Sequence, residues 1–283
     1  MRLPRLFRWT RSSTILLSGF LFVIALIAYV WWPLAEEAFA YFDWRGPWWL
    51  YIDWLLIGLF LFMSVTIVAG ADLRRDALII CVATMGGLVI EAWGTQTNLW
   101  FYYTHERPPL WIIPAWPIAT LSIDRITRVI EKLLSTKGHD PLAGAGEEHE
   151  RGNKGKENSS RGMKALYWLV FGAFLAIMIP FVWPTMDKPY TVMALLLCIL
   201  LIGTPTHYRR AVIVFAAGAG LGYFLELWGT TRECWTYYTY QTPPLFAVLA
   251  HGMAAVAFWR TGLLVQSLMR RAWGMMETEA EAD

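Results

Sequence analysis

The sequence predicts an all-α, polytopic membrane protein with about eight transmembrane helices in two parallel four-helix repeats. The composition is the first reason, because 57% of the 283 residues are hydrophobic and only 16% are charged, whereas a soluble domain is about one quarter charged. The second reason is the 17 tryptophans, since tryptophan concentrates at membrane–water interfaces. The third is an internal duplication that places one glutamate inside a membrane helix of each half.

Eight apolar segments are long enough, or nearly so, to cross about 30 Å of hydrocarbon as helices. They are residues 13–34, 48–70, 76–95, 109–130, 164–184, 189–205, 209–229 and 243–268. The sixth is short and lies between Pro189 and Pro205, while Pro114 and Pro117 predict a kink or a late start in the fourth. The first segment is too long for a typical signal-peptide core, so we expect it to be retained.

Basic clusters alternate along the chain with acidic residues in the loops between these segments. Arg74 with Arg75 and Arg270 with Arg271 are two such clusters, and eight crossings place all of them on one side of the membrane. The positive-inside rule makes that side the cytoplasm. We therefore expect an integral protein of the cytoplasmic membrane with both termini in the cytoplasm. Because the basic residues are topology signals, they do not indicate binding to nucleic acid.

The stretch between the two halves is rich in charge, glycine and serine and has no apolar periodicity. This composition predicts a disordered cytoplasmic linker. The predicted organisation is a first four-helix membrane repeat at 1–135, the linker at 136–162, and a second four-helix repeat with a short acidic tail at 163–283. The three cysteines form neither a disulfide framework nor a metal knuckle.

A shift of 135 residues aligns the glutamate-bearing part of the first half with that of the second half. Between residues 74–110 and 209–245, 14 of 37 positions are identical without a gap. Similarity of this length at one fixed offset indicates an internal duplication. Each unit has four spans, an even number, so both units enter the membrane in the same direction. We expect a rotation of about 180° around the membrane normal to relate them.

Glu91 and Glu226 occupy equivalent positions in the duplicated segment. A charged side chain inside a bilayer costs at least about 2.5 kcal/mol, so an acid at the same place in both copies predicts a function. Residues four apart share a helix face, which puts Gly87, Glu91 and Thr95 on one stripe. We expect the glycine to leave space for a neighbouring helix or a ligand. Burial disfavours the charged form, so each glutamate is expected to keep its proton.

Aromatic residues and one histidine accompany the two glutamates and are predicted to line the site. These candidate substrate-binding residues are Trp93, Trp100, Tyr102, Tyr103, Trp228, Trp235, Tyr237, Tyr238 and His251. A protonated glutamate can protonate an alkene, and indole and phenol faces stabilise the resulting carbocation. No metal-binding, phosphate-loop or nucleophile-elbow motif is present, so neither a metal nor a cofactor is predicted.

Each of these residues also has a structural interpretation. The tryptophans can belong to an interfacial belt, and the tyrosines can anchor a loop. The glutamates can hydrogen-bond Trp or Tyr groups of the opposite repeat without any part in chemistry. His251 can be a packed, hydrogen-bonded residue.

The spacing of the duplicated motif resembles the integral-membrane carotenoid-modifying proteins, meaning the two-repeat lycopene β-cyclases and the related carotenoid hydratases. The cyclases have in each half a membrane acid, a tryptophan nine residues later and an aromatic residue two further on. The matching residues are Glu91, Trp100 and Tyr102, and Glu226, Trp235 and Tyr237. The hydratases have E-x-x-G before a Tyr-rich loop and prolines, matched by Glu91, Gly94, Tyr103, Pro109 and Pro114. The chain departs from the cyclases in lacking their Pro-x-Glu-Glu and Pro-Trp-Asp. The resemblance implies a polyene substrate protonated by a carboxylic acid without a metal.

The sequence therefore favours a metal-independent membrane enzyme, an isomerase or a lyase, that cyclises, hydrates or isomerises an isoprenoid or carotenoid-type lipid. Glu91 and Glu226 would be its acid and base, and the lipid substrate and the bilayer its partners. The alternatives are a transporter or binding subunit whose paired glutamates bind a cation or relay protons, and a non-catalytic membrane scaffold. An enzyme needs different environments for its acid and its base, and the two halves differ at Trp116 and His251.

Overall fold

The computed structural model describes residues 9–136 and 148–280, with side chains described for 9–134 and 161–272. Within these ranges the chain forms nine α-helices and two short strands. In chain order they are α1 (Arg11–Val30), α2 (Trp32–Ala40), α3 (Trp54–Val68), α4 (Leu73–Gln96), β1 (Trp100–Tyr102), α5 (Ala115–Thr136), α6 (Glu148–Val182), α7 (Pro189–Ile202), α8 (Tyr208–Thr231), β2 (Trp235–Tyr237) and α9 (Leu245–Ala280). The all-α prediction is confirmed, with the two strands as an unpredicted addition.

Each of the eight predicted segments overlaps one of the helices other than α2. Among the described residues, five helices are long and apolar enough to cross a membrane, namely α1, α4, α6 from residue 161, α8 and α9. Helices α3 and α7 are apolar but have only 15 and 14 residues. Helix α5 carries five charged residues, all between Asp124 and Lys132. Residues 148–162 of the predicted linker belong to α6, and residues 137–147 lie outside the described part of the chain. The division into two repeats and a linker stays a prediction.

Four helices form the centre of the molecule, with α4, α5, α8 and α9 packed in a ring. Helices α1, α3, α6 and α7 lie around them and expose large apolar side chains, including Phe22, Leu61, Leu169 and Leu196. Apolar surface of this extent is typical of a protein in contact with lipid. At the closest approach of α8 and α9, a side chain at Gly218 would lie 2.9 Å from the His251 carbonyl oxygen. The predicted smooth glycine face of α8 is therefore a helix-packing surface.

The segments after α4 and α8 meet as a two-stranded antiparallel sheet. Its register pairs Trp100 with Tyr237, Phe101 with Thr236, and Tyr102 with Trp235. The 135-residue shift relates Trp100 to Trp235 and Tyr102 to Tyr237. It therefore converts the first pair into the third, and the register is the same when it is read from either strand. Left-handed backbone conformations also recur at this shift, at Asn98 and Glu233 and at His105 and Tyr240.

A buried ion pair joins the first turn of α4 to α5. Arg125 Nη2 lies 2.5 Å from Asp76 Oδ2, and neither side chain is exposed by more than 2%. In the second half the corresponding residues are Ala211 and Arg260, and Arg260 donates to two threonine hydroxyls that precede α8. The carboxylate is therefore particular to the first half.

Asp76→Ala is expected to lower the free energy of unfolding by about 3 kcal/mol, because it leaves a buried guanidinium without its main partner. This value is at the lower end of the range for removing one partner of a buried ion pair, because Arg125 retains its contact with Asp124 at 2.8 Å. Unfolding of the purified protein in detergent measures the change. The double variant Asp76→Ala/Arg125→Leu should recover most of the loss, since it leaves no buried charge. A single variant as stable as the parent would contradict this role.

Candidate functional site

Glu91 lies in α4 with only 3% of its surface exposed. Its Oε2 accepts a hydrogen bond from Trp100 Nε1 at 3.1 Å. Its Oε1 accepts from Tyr102 Oη at 2.9 Å and from Trp116 Nε1 at 3.1 Å. These donors come from β1 and from the start of α5, so one carboxyl connects α4, β1 and α5.

Glu226 occupies the same setting in α8 and is 2% exposed. Its Oε2 accepts from Trp235 Nε1 at 3.0 Å, and its Oε1 accepts from Tyr237 Oη at 2.9 Å. The third partner is His251 Nε2, at 2.8 Å from Oε1. The two carboxyls therefore have the same partners atom for atom, except that an imidazole replaces an indole.

Glycines shape both settings. A side chain at Gly94 would lie 1.8 Å from the Trp100 ring, and one at Gly229 would lie 1.9 Å from the Trp235 ring. These tryptophans can reach the carboxyls only because the glycines let their rings lie against the helix. Gly87 and Gly222, one turn before each glutamate, are covered in the same way by Trp116 and His251. The space predicted beside each glutamate is thus filled by the neighbouring helix α5 or α9.

Ring contacts join the two settings into one cluster. Trp116 stacks on His251 with ring centroids 5.9 Å apart and planes at 22°. Across the sheet, Trp100 contacts Tyr237 at 5.9 Å and Tyr102 contacts Trp235 at 6.1 Å. The two glutamates and these rings therefore form a single cluster at the interface of the two halves, which we call the carboxyl cluster.

The remaining predicted residues lie at the edge of this cluster or outside it. Trp93 and Trp228 contact the rings of Trp100 and Trp235, but their indole N–H groups donate to Thr191 and Asp53 at the starts of α7 and α3.

Tyr103 and Tyr238 do not reach the carboxyls. They donate to the carbonyl oxygens of Val30 and Phe181, near the ends of α1 and α6. Both tyrosines follow a strand residue whose side chain faces the glutamate. Because successive side chains of an extended chain point to opposite faces, these two anchor the loops instead.

Three further residues belong to the site and were not among the predicted set. Trp116 could have been found, because the 135-residue shift places it opposite His251. Asp53 and Thr191 gave no such signal, since their partners are distant in sequence. Asp53 Oδ2 accepts from Trp228 Nε1 at 2.7 Å and from Arg232 Nε at 3.0 Å.

The partners of the two carboxyls differ in whether they can accept a hydrogen bond as well as donate one. An indole N–H can only donate a hydrogen bond, whereas a phenol or a neutral imidazole can donate or accept. Glu91 therefore faces two groups that can only donate, and Glu226 faces one. Burial, followed by the adjacent carboxyl, raises the pKa of Tyr102 and Tyr237 well above the usual value for tyrosine, so both phenols stay protonated. A proton can be exchanged between Glu226 and His251 but not between Glu91 and Trp116.

Two cavities lie near the cluster. One, the β2 cavity, has a volume of about 120 Å³ and is lined by Trp235 and Tyr237 together with Thr230 and the loop that follows β2. The other, the central cavity, has a volume of about 410 Å³ and lies between α4, α5, α8 and α9. It reaches Thr120 and Ala255, one helical turn from Trp116 and His251. Within the described ranges, no group of three or more His, Cys, Asp or Glu side chains could hold a metal ion.

Glu91→Gln is expected to destabilise the protein more than Glu226→Gln does. Trp100 and Trp116 donate to different oxygens of Glu91, so either orientation of the amide sets its NH₂ against an indole N–H. At Glu226 the amide oxygen can face Trp235 while its NH₂ faces Tyr237 and His251, which can both accept. An unsatisfied buried donor costs about 1–3 kcal/mol, and melting of the two variants in detergent should differ accordingly.

Trp116→His supplies the control for this comparison, because it gives Glu91 the partner that Glu226 has. In that background, Glu91→Gln should cost as little as Glu226→Gln costs in the parent. Equal melting temperatures for the two single variants would contradict the assigned donors.

Comparisons with known proteins found no relative of this chain. No protein-family model, no curated protein and no solved structure matches the chain. The function therefore rests on the geometry of the two carboxyls and on what the sequence implies.

Proposed function

We propose that the chain is an integral membrane protein of eight spans, in which two parallel four-helix repeats are related by a rotation of about 180° around the membrane normal. Reciprocal contacts support this arrangement. Asp53, at the start of α3, pairs with Arg232 after α8, while Lys188, at the start of α7, donates to the Thr97 carbonyl oxygen after α4 at 3.2 Å. The 135-residue shift relates Asp53 to Lys188 and Thr97 to Arg232, so the two contacts lie at equivalent places in the two halves.

The shorter helices are compatible with eight spans. At 1.5 Å per residue, α3 and α7 are each about 21–22 Å long, and a bilayer adapts to a short span by local thinning. The charges of α5 are paired, since Asp124 accepts from both Arg125 and Arg128. The basic residues in the first turns of α4 and α8 support a cytoplasmic location for these helix starts, for both termini and for the predicted linker at 136–162.

For the activity, we propose acid–base catalysis on an isoprenoid or carotenoid-type lipid. One observation carries this proposal: His251 lies 2.8 Å from Glu226, whereas Trp116 occupies the corresponding place beside Glu91. Acid–base catalysts commonly consist of two titratable groups whose environments favour opposite protonation states. The His251 imidazole can share a proton with Glu226, whereas the Trp116 indole cannot share one with Glu91.

In this proposal the Glu226–His251 pair is the acid and Glu91 is the base. Glu91 acts as a carboxylate, not as the neutral acid expected from burial alone, because a proton on either of its oxygens would face an indole N–H that can only donate. The pair delivers a proton to one carbon of an alkene, whose π electrons form the new C–H bond and leave a cation on the adjacent carbon. The faces of Trp100 and Trp235 stabilise that cation. Attack by a second alkene closes a ring, or attack by water gives an alcohol, and loss of a proton to Glu91 completes the reaction. Glu91 then releases its proton to solvent, and solvent supplies one proton to the Glu226–His251 pair, which restores both groups.

The β2 cavity supports access to the acid pair, because Trp235 and Tyr237 line it and also bind Glu226. With about 30 Å³ per water molecule, its volume of about 120 Å³ holds about four waters. Only the end group of a long lipid fits there. The enzymatic proposal also agrees with the resemblance to the carotenoid-modifying proteins, which implies protonation of a polyene.

A second candidate function is proton relay across the membrane. The carboxyl cluster lies between the β2 cavity and the central cavity, and the Trp116–His251 stack connects the two glutamates. Intramembrane acids in such a position are typical of proton pathways. Under this alternative, reconstituted protein would dissipate a pH gradient and would convert no lipid.

His251→Trp tests the enzymatic proposal, because it copies the first half into the second. Gly222 offers the space that Gly87 gives to Trp116, so the variant should fold. General acid–base groups contribute about 10²–10⁴-fold to rates, and conversion of candidate polyenes, followed by chromatography, should fall by that factor. In D₂O the parent should place deuterium in the product. Unchanged conversion by His251→Trp, or a product without deuterium, would contradict the proposal. The reciprocal variant Trp116→His controls for changes in packing.

Cysteine labelling tests the topology. In a chain whose three native cysteines are replaced by alanine, a cysteine at Ser159 should resist a membrane-impermeant maleimide added to intact cells. A cysteine at Gln241, in the exposed loop after β2, should react under the same conditions. Reaction at position 159 with protection at position 241 would show that the orientation is inverted.

A further inference from the structure

The central cavity lies where the two halves face each other. Its volume of about 410 Å³ is within the range of small-molecule sites. Residues that line it occur in pairs separated by 135 positions, and Arg75/Arg210, Thr120/Ala255 and Thr127/Gly262 are three of these pairs. The cavity is therefore a feature of the interface between the halves, on the opposite side of the carboxyl cluster from the strands.

One end of the cavity is cationic. Arg75 and Arg210 are each the third residue of their helices, α4 and α8. Arg75 lies 3.9 Å from Asp124, but that carboxylate already accepts from Arg125 at 2.8 Å and from Arg128 at 2.5 Å. Asp76 also pairs with Arg125, and Glu131 lies near Arg210, so four arginines face three acids. One excess positive charge remains at this end, where Asp124 itself lines the cavity.

Arg210 is only loosely neutralised. Its nearest acid in the described side chains is Glu131, at 3.8 Å, which is longer than a hydrogen bond. Its guanidinium lies over the Trp259 ring, 5.7 Å from the centroid, and its buried Nε has no hydrogen-bond partner among the described residues. A planar guanidinium held in this way can donate two parallel hydrogen bonds to an incoming oxyanion.

A buried hydroxyl in the wall also lacks a partner. Thr127 is 1% exposed, it lines the cavity, and its Oγ1 makes no hydrogen bond to any described residue. Buried hydroxyls are almost always hydrogen-bonded. Rotation about the Cα–Cβ bond of Thr127 would turn this unpaired hydroxyl toward a polar group in the cavity beside the arginines.

The rest of the cavity is apolar and leads toward the carboxyl cluster. Its walls include Ile79, Val82, Val214, Phe258 and Leu263. It ends at Thr120 and Ala255, four residues and so about 6 Å along the helix from Trp116 and His251. A ligand here meets positive charge at one end and hydrocarbon at the other.

We propose that the central cavity binds an amphiphile with one phosphate-type head group and an apolar chain. Arg75 and Arg210 reach the head group from opposite halves, and Thr127 donates to a third oxygen. A phosphate monoester fits better than a carboxylate, because its charge of about −1.5 to −2 at neutral pH can interact with both arginines. The chain lies against the apolar walls and points toward His251. That the same amphiphile is the lipid substrate rests on the proposed function, whereas its binding does not.

Binding of radiolabelled dodecyl phosphate to the purified protein in a neutral detergent tests this site. We expect saturable binding of one molecule per chain and at least tenfold weaker binding of dodecanol, which lacks the charge. Arg75→Gln/Arg210→Gln should weaken the binding of dodecyl phosphate at least tenfold. Absence of saturable binding, or equal affinity for the phosphate and the alcohol, would overturn the proposal.

Gly262→Phe provides a variant that fills the cavity and keeps both arginines. Nothing lies within 4 Å of a side chain built at Gly262, so the ring can extend into the cavity without displacing a neighbour. Gly220→Phe is the matched control, because Gly220 is equally unobstructed but lies on the exposed face of α8. Gly262→Phe should abolish binding and Gly220→Phe should not. Equal binding by the two variants, with unchanged melting, would place the phosphate elsewhere and overturn the assignment.

Competition distinguishes the two sources of such a ligand. Displacement of the probe by phosphatidic acid in nanodiscs, but not by phosphatidylcholine, would support a lipid taken from the bilayer. Displacement by farnesyl phosphate alone would support a free phosphate ester. Displacement by neither would overturn the site. Because His251→Trp leaves the arginines in place, it should bind dodecyl phosphate normally even if the catalytic proposal fails.

Discussion

A carboxyl group inside a membrane has to find its hydrogen-bond donors within the protein, and the centre of this molecule is organised around that constraint. Each glutamate collects donors from a strand and from a neighbouring helix. Positions 94 and 229 are glycines because a side chain there would overlap the Trp100 or Trp235 ring, which lies against the helix that carries the glutamate. The strands in turn pair with each other and hold the two halves together. Removing the acids would leave six buried polar groups without acceptors, which is costly in any low-dielectric interior.

Because the two settings are so alike, their few differences are informative. The same carboxyl oxygens accept from the same residue types in both halves, and a single position changes the chemistry from a fixed donor to a proton-sharing group. A second difference lies at the other end of the inner helices, where Asp76 neutralises Arg125, whereas Arg260 forms no ion pair within the described side chains and donates to two threonines. Both differences lie in contacts between α4 and α5, or between α8 and α9. The starts of the outer helices α3 and α7 also differ, since Asp53 pairs with Arg232 whereas Lys188 donates to the Thr97 carbonyl oxygen.

Much of this architecture could be predicted from the sequence, for identifiable reasons. Hydropathy located eight helices because each is a long apolar run, and the fixed offset located both glutamates and the aromatic residues that bind them. The two strands were missed, since three residues are too few for an alternating pattern to show. That alternation is also why Tyr102 reaches Glu91 while Tyr103 does not. The contacts of Asp53 and Thr191 join residues 98 to 179 positions apart, and no local pattern reports them. The central cavity is invisible in sequence because its lining comes from four different helices that meet only in the folded protein.

The register of the sheet has a consequence for the history of the chain. Two identical copies of one strand, placed around a twofold axis, would pair tryptophan with tyrosine in just this way, as in an isologous homodimer interface. A single ancestral unit could thus assemble the whole centre by dimerising with itself. In such a dimer, however, every substitution occurs in both subunits at once, and the two carboxyls must remain identical. Gene fusion removes this coupling. It is the step that allows residue 251 to be histidine while residue 116 is tryptophan.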